Sequence, residues 1–170
     1  LTLDAKVLDC GCGGGANMKR LLKKCPQGVV KGIDYSPVSV EKSKKVNEAA
    51  IAEGRCAVLQ GSVADMVFAD DWFDTITAFE TVYFWPDLPR CFREVFRVLR
   101  PGGTFCGCFY VKGEHKRTDW FVRHVYEKAG FFTPPYETVS SLKARLDGMY
   151  TDVDMGNLKS MAWFVCRKAD

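Results

Sequence analysis

Two aspartates close two short apolar segments, and glycines crowd the stretch after the first. Val7-Leu8-Asp9 runs into Cys10-Gly11-Cys12-Gly13-Gly14-Gly15, and Val29-Val30-Lys31-Gly32-Ile33 runs into Asp34, twenty-five residues after Asp9. Glycine lets a backbone come close to a ligand. An acid ending the second strand after such a loop is placed to accept hydrogen bonds from the two hydroxyls of a ribose. Asp9 is the unusual part. Beside a glycine loop, a dinucleotide-binding fold seats an anionic pyrophosphate, and a carboxylate there repels phosphate and attracts a cation. Together the two acids and the loop between them point to a nucleoside with a cationic tail rather than a phosphorylated one.

On these segments the chain resembles the class I S-adenosyl-L-methionine-dependent methyltransferases. Three further segments carry the resemblance in the same order: Gln60-Gly61-Ser62-Val63, Phe73-Asp74-Thr75-Ile76 and Val95-Phe96-Arg97-Val98-Leu99-Arg100-Pro101-Gly102-Gly103. The match runs over roughly residues 5 to 110. It implies S-adenosyl-L-methionine as cofactor, whose sulfonium and α-ammonium are the cations Asp9 would favour. In open parallel sheets ligands bind beyond the carboxyl ends of the strands, where strand order reverses. That rule gathers Asp9 to Gly15, Asp34-Tyr35, Ser62-Val63 and Phe79 to Tyr83 around one crevice.

Roles follow from those positions. Gly11, Cys12 and Gly13 form the loop that passes under the methionine part of the cofactor. Asp9 supplies negative potential near the ammonium, partly through water, and Asp34 takes the ribose. Tyr35 either stacks on adenine or packs against the sheet edge. Family members hold the adenine amino group with an acid after strand three. Here Ser62 stands at that position, and its hydroxyl, the backbone of Val63 or nearby Asp65 can take over. Phe79 ends strand four on the cofactor side. The following run, Glu80-Thr81-Val82-Tyr83-Phe84-Trp85-Pro86-Asp87, faces the transferred methyl and the substrate in the family, and its aromatics suit the wall of a small-ligand pocket. Methyl transfer needs a base only when the acceptor must lose a proton. Glu80 and Tyr83 are the main candidates, with Tyr110 and His115 behind them, while His124 reads as structural. The Asn/Asp-Pro-Pro-aromatic and Pro-Cys signatures of nucleic-acid base methyltransferases are absent, so the expected partner is a small-molecule acceptor. Oxygen, nitrogen, carbon and sulfur all stay open as the acceptor atom.

The elements that must position these residues alternate strand and helix, which predicts a parallel sheet covered on both faces. The expectation is an α/β, Rossmann-like, doubly wound, mostly parallel seven-stranded sheet with an antiparallel C-terminal hairpin. Strands are expected at Ala5 to Asp9, Val29 to Asp34, Ala57 to Gln60, Thr75 to Phe79 and Thr104 to Tyr110. Helices are expected from about Ala16 to Lys24, from Ser36-Pro37 to about Glu53, and from Asp87-Leu88-Pro89 to Leu99, with Pro101-Gly102-Gly103 as a stop. Beyond that, Asp119 to Lys128 and Glu137 to Leu146 read as helices around a Pro134-Pro135 loop. Met149 to Met155 and Met161 to Arg167 read as strands joined by Gly156-Asn157.

Composition agrees with one globular domain over residues 1–170. Of 170 residues, 47% are hydrophobic and 13% aromatic, enough to build a core. A net charge of +3 is too mild and too scattered for a nucleic-acid surface. The eight cysteines contain no Cys-x-x-Cys pair, so no zinc or other metal site is expected. They read as reduced thiols in a cytoplasmic compartment. No apolar run reaches the roughly 18 residues of a membrane span. No signal peptide is read at the Leu1 end, and the resemblance implies that lid helices usual before the first strand lie outside these residues. Oligomeric state is not legible. Two competing readings remain. Gly11-Cys12-Gly13-Gly14-Gly15-Ala16 also fits the G-x-G-x-x-G/A loop of an NAD(P)-dependent oxidoreductase. A non-catalytic S-adenosylmethionine-binding module would carry the same loop.

Overall fold

The computed structural model describes residues 1–111, 116–122, 124, 138–158 and 161–170. Its elements are β1 (Lys6–Cys10), α1 (Ala16–Lys24), β2 (Val29–Asp34), α2 (Pro37–Val46), α3 (Glu48–Ala52), β3 (Cys56–Gln60) and β4 (Phe73–Phe79). There follow a 3-10 turn (Val82–Phe84), α4 (Leu88–Val98), β5 (Leu99–Tyr110), α5 (Lys116–Phe121), α6 (Val139–Asp147), β6 (Thr151–Leu158) and β7 (Met161–Arg167). The strands form one sheet in the order β3-β2-β1-β4-β5-β7-β6. The pairs from β3 to β5 are parallel, and β7 runs antiparallel to both of its neighbours. The α/β, mostly parallel seven-stranded expectation is therefore met. Strand order reverses between β1 and β4, which puts a crevice at their carboxyl ends.

Both faces of the sheet are buried where helices cover them, because each helix presents an apolar stripe. On one face Cys91, Phe92, Val95 and Val98 of α4 and Leu142 and Leu146 of α6 pack against Leu8, Ile76, Phe105 and Phe164. On the other, Met18, Leu21 and Leu22 of α1 pack against Val7, Val30 and Cys56. All eight cysteines are unpaired, and six are buried. Burial pushes their thiols up, Cys56 and Cys91 to about 11, so they behave as small apolar side chains. Among the described residues no helix is long and apolar enough to cross a membrane.

Several local expectations are corrected. The helix expected to run from Pro37 to about Glu53 breaks at Asn47, whose φ of −112° and ψ of 18° leave the helical region. The cause is tertiary: the buried Asn47 amide donates to the carbonyls of Gly15 and Ser43, tying the helix break to the end of the glycine loop. Pro101-Gly102-Gly103 is not a turn between the helix and a strand starting at Thr104: α4 ends at Val98, and these residues lie inside β5, where pairing shifts from Phe73–Leu99 to Thr75–Thr104. That irregularity is closed by Gly102 N donating to Lys168 O and by Lys168 N donating to Gly103 O. Gly156 and Asn157 do not connect the final strands. They belong to β6, opposite Trp163 and Ala162. In the softer region α5 is described over Lys116–Phe121, and α6 begins at Val139, capped by Thr138. Lys128, Pro134, Pro135 and His115 lie outside the described residues.

Candidate cofactor site

The glycine loop leaves β1 and folds back over the end of β2. Gly11 N and Cys12 N both donate to Ile33 O, at 2.8 and 3.1 Å. Asp34, at the end of β2, then fastens the loop from the other side. Its Oδ2 accepts from Gly13 N at 2.8 Å and its Oδ1 from Ser36 N at 2.9 Å. A carboxylate offers about four lone-pair positions, so each oxygen of Asp34 keeps one acceptor position after holding the backbone. Ser36 in turn caps α2, with Pro37 at the first helical position. One aspartate thus sets the shape of the loop and presents an acceptor pair to whatever lies above it.

Above it is a cavity of about 480 Å³. Gly11, Gly13, Asp34, Tyr35, Ser62, Val63 and Glu80 all line it, together with Thr81, Phe84, Trp85 and Pro86. Of the aromatics in the run after β4, Phe84 and Trp85 stand in the wall and Tyr83 does not. Tyr35 is 69% exposed and stands at the rim rather than against the sheet edge. Ser62 Oγ accepts from Ala64 N at 3.2 Å, which holds the chain turn that brings Val63 to the wall. Asp65 is absent from the wall, and its carboxylate lies 3.8 Å from Arg90.

Four expected residues fall outside the wall: Tyr83, which reaches it only through Glu80, and Cys12, Phe79 and Asp9. Cys12 points into the second core cluster, its Sγ against Ser43, so only its backbone belongs to the loop. Phe79 is 39% exposed and is not part of the wall. It ends a strand whose side chains alternate between faces, and its own face there is not the cavity's. Asp9 is 2% exposed, opposite Gly32 and Thr77 on the neighbouring strands. Its Oδ1 accepts from Thr77 Oγ1 at 2.7 Å and from Asn17 Nδ2 at 3.0 Å. It stands one layer behind the cavity, not beside the ligand space. Asn17 and Thr77, which hold it there, were not singled out by the sequence. Polar residues at the first turn of α1 and in the middle of an apolar strand were the available signals.

Burial dominates the chemistry of Asp9. It raises the carboxyl to about 6, the nearby Asp34 charge adding to the rise and the Thr77 and Asn17 hydrogen bonds opposing it. The folded chain thus holds this proton up to about pH 6, whereas an ordinary carboxyl releases it near 3.8. A group that binds its proton more tightly when folded makes stability fall as pH rises between those two values, and the loss persists above them. At neutral pH the buried charge costs roughly 3 kcal/mol. Asp9→Asn is accordingly expected to stabilise the ligand-free chain at pH 7.5 by up to about 3 kcal/mol, with the gain vanishing near pH 4. Urea unfolding of both proteins across that range is the check, and a gain independent of pH would show that the Asp9 charge is not its source.

At the other end of the wall, Glu80 has φ of 55°, a left-handed backbone uncommon outside glycine. Its amide donates to Cys108 O at 2.8 Å, which holds the strained residue at the tip of β4. Tyr83 OH donates to Glu80 Oε2 at 3.0 Å, so the two candidate proton-handling residues do meet. Partial burial raises the Glu80 carboxyl, and the Tyr83 hydrogen bond opposes that. Strain of this kind gathers where a side chain must point at a ligand.

Among the described residues the wall contains two acids, Asp34 and Glu80, and no lysine or arginine. Such a cavity favours a cationic ligand and repels a pyrophosphate. Above Gly13, a Cβ would meet nothing within 4 Å, so the loop presents open backbone to the ligand. The residues present fit S-adenosyl-L-methionine. Asp34 keeps two acceptor positions for a ribose, the loop is bare, and Glu80 stands at the opposite end, where the cationic tail would lie.

Residues 8–107, more than half of the chain, match the methyltransferase domain family. The chain belongs to the class I S-adenosyl-L-methionine-dependent methyltransferases. Its relatives include cycloartenol-C-24-methyltransferase 1 of Oryza sativa, 33% identical over 59% of this chain and 29% of that protein. The sterol 24-C-methyltransferase of Aspergillus fumigatus is 34% identical over 59% of this chain and 26% of that protein. The chain therefore spans under a third of the length of these relatives. Phosphoethanolamine N-methyltransferase 2 of Haemonchus contortus, solved with S-adenosyl-L-methionine, has the same fold, with a TM-score of 0.83 and 13% identity over 100% of this chain and 50% of that one. S-adenosyl-L-methionine is the cofactor of this methyltransferase domain, and the oxidoreductase alternative falls away.

Proposed function

We propose that this chain is the cofactor-binding and catalytic core of an enzyme that methylates a small, apolar acceptor. The observation that carries the reading is the wall of the cavity: Asp34 braced by two backbone amides at one end, and Glu80, Phe84 and Trp85 at the other, with no basic group between them among the described residues. The names of the relatives, sterol and cycloartenol C-24-methyltransferases, support a polycyclic apolar acceptor methylated at carbon. The aromatic end of the cavity is suited to such a surface. The eight unpaired thiols support a reducing compartment.

When bound, S-adenosyl-L-methionine supplies a methyl on a sulfonium, a leaving group that needs no acid. The chain's own work is then to bind, orient and exclude water. Asp34 holds the ribose through its two remaining acceptor positions and Gly13 leaves room for the tail. Asp9 contributes a negative field from behind the loop once it is ionised. Phe84 and Trp85 hold the acceptor in line, an alignment that can lower the barrier by several kcal/mol. Where the acceptor must shed a proton, Glu80 takes it, its carboxylate held in place by the Tyr83 hydroxyl. Unchanged turnover across pH in Glu80→Gln would remove Glu80 from that role.

Calorimetric titration with S-adenosylmethionine, S-adenosylhomocysteine and NADH, followed by mass-spectrometric assay against sterols and simpler apolar alkenes, tests the reading. Binding of the first two ligands with methylation of an apolar acceptor is the expected result. Binding without turnover over a broad acceptor panel would leave a non-catalytic binding module, and preference for NADH would overturn the reading altogether.

A further inference from the structure

Thr81 has lost the role its position would ordinarily give it. It stands at the N-cap of the 3-10 turn Val82–Phe84, yet its side chain makes no capping hydrogen bond. Threonine is common at such positions because its hydroxyl takes an orphan amide of the first turn. Here only the Thr81 carbonyl serves the turn, accepting from Phe84 N at 2.9 Å. The residue is 7% exposed, and its hydroxyl bonds to none of the described residues. Its Oγ1 is not one of the fully covered side-chain atoms that lack a partner, so the hydroxyl keeps open surface at which a ligand can meet it.

Its surroundings show where that surface lies. Thr81 lines the cavity, and its Oγ1 lies against Gly11 so closely that any Cβ there would overlap it. The hydroxyl therefore sits where the glycine loop meets the Glu80 end of the wall. The cofactor's tail carries an α-carboxylate as well as an ammonium, and that carboxylate needs a donor. Neither ionised acid of the wall can be one. The other hydroxyls of the wall belong to the other end: Tyr35 at the rim next to Asp34, Ser36 and Ser39 at the start of α2, and Ser62 beside Val63. The indole Nε1 of Trp85 is also unpaired, but the atom is wholly covered and offers the cavity no surface. The first residues of α1, whose amides could also donate, are not in the wall.

We infer that the Thr81 hydroxyl donates a hydrogen bond to the methionine carboxylate of the bound cofactor, and so fixes the tail from which the methyl is presented. The inference rests on the cofactor assignment and adds a positioning residue to it. Valine has the same shape and lacks only the hydroxyl, and because Oγ1 has no partner among the described residues, Thr81→Val strands none of their polar groups.

The test is calorimetric titration of wild type, Thr81→Val and Thr81→Ser with S-adenosylmethionine and with its decarboxylated analogue, which keeps the sulfonium and amine and lacks only the carboxylate. Thermal unfolding without ligand shows that each variant folds. A hydrogen bond to a charged group predicts that Thr81→Val binds S-adenosylmethionine about ten- to hundred-fold more weakly, while its affinity for the decarboxylated analogue stays at the wild-type value. Thr81→Ser is expected to stay close to wild type with both. Equal losses for both ligands, or no loss for either, would overturn the inference with the cofactor assignment intact. A wild-type chain that bound neither ligand would overturn the assignment itself.

Discussion

Asp34→Ala is expected to abolish measurable cofactor binding under ordinary titration conditions. Two effects add. The first is direct, since the carboxylate is the proposed acceptor for both ribose hydroxyls, and hydrogen bonds to a charged group contribute about 1.5–3 kcal/mol each. That alone is a loss of a hundred-fold or more. The second runs through the loop. Gly13 N and Ser36 N both donate to this carboxylate, so its removal leaves two part-buried amides without their partner and frees the segment that must lie under the ligand. Asp34→Asn separates the two, because an amide keeps the shape but only one acceptor oxygen, and an intermediate loss is expected for it. Isothermal titration with S-adenosylhomocysteine is the measurement. Wild-type affinity in Asp34→Ala would remove the residue from the site and with it the present reading of the cavity.

Gly11→Ala carries the second large effect, and here the fold suffers before the ligand does. The residue has φ of +69°, and a Cβ at this position would overlap Thr81 Oγ1 and lie 2.6 Å from Thr81 Cβ. A left-handed backbone costs a non-glycine residue about 1–2 kcal/mol, and overpacking of a closed site typically costs about 1–3 kcal/mol more. A stability loss of about 2–5 kcal/mol is expected, with displacement of Thr81 and a matching fall in cofactor affinity. Gly13→Ala is the informative contrast. It shares a positive φ, +51°, but its Cβ would enter open space. It should unfold at nearly the wild-type urea midpoint, apart from the backbone cost, yet bind the cofactor poorly, because the new methyl occupies ligand space. Equal midpoints for Gly11→Ala and wild type would show that Thr81 and the loop can separate freely, contrary to the packing described.

How much of this was legible beforehand differs residue by residue. Asp34, Gly11 and Gly13 were readable because their roles depend on local order: a strand, a turn that needs glycine, a second strand of the right spacing. The Ser36-Pro37 helix start and the alternation of strand and helix are local in the same sense, and they led correctly to a parallel sheet with an antiparallel end. The pairing of Tyr83 with Glu80 was within reach because three residues separate them. Asn47 was not, since its break in the second helix answers Gly15, thirty-two residues away, and helical periodicity carries no trace of that contact.

Asp9 marks the boundary between the two kinds of knowledge. Its chain position beside the glycine loop made it look like a group facing the ligand. Which way a strand side chain points depends on the pleat, and what lies there depends on the neighbouring strand and helix. Thr77, from sixty-eight residues further on, and Asn17 enclose it and raise its proton affinity. Thr81 tells the same story from the cavity side, where a residue with an ordinary local role is pressed against Gly11 by the order of the strands. Amino-acid order alone therefore determined the class of fold, the loop and the kind of ligand, because short-range backbone chemistry writes those directly. Only the tertiary structure decided which polar groups face the ligand and which are buried behind it, because that depends on partners brought together from distant parts of the chain.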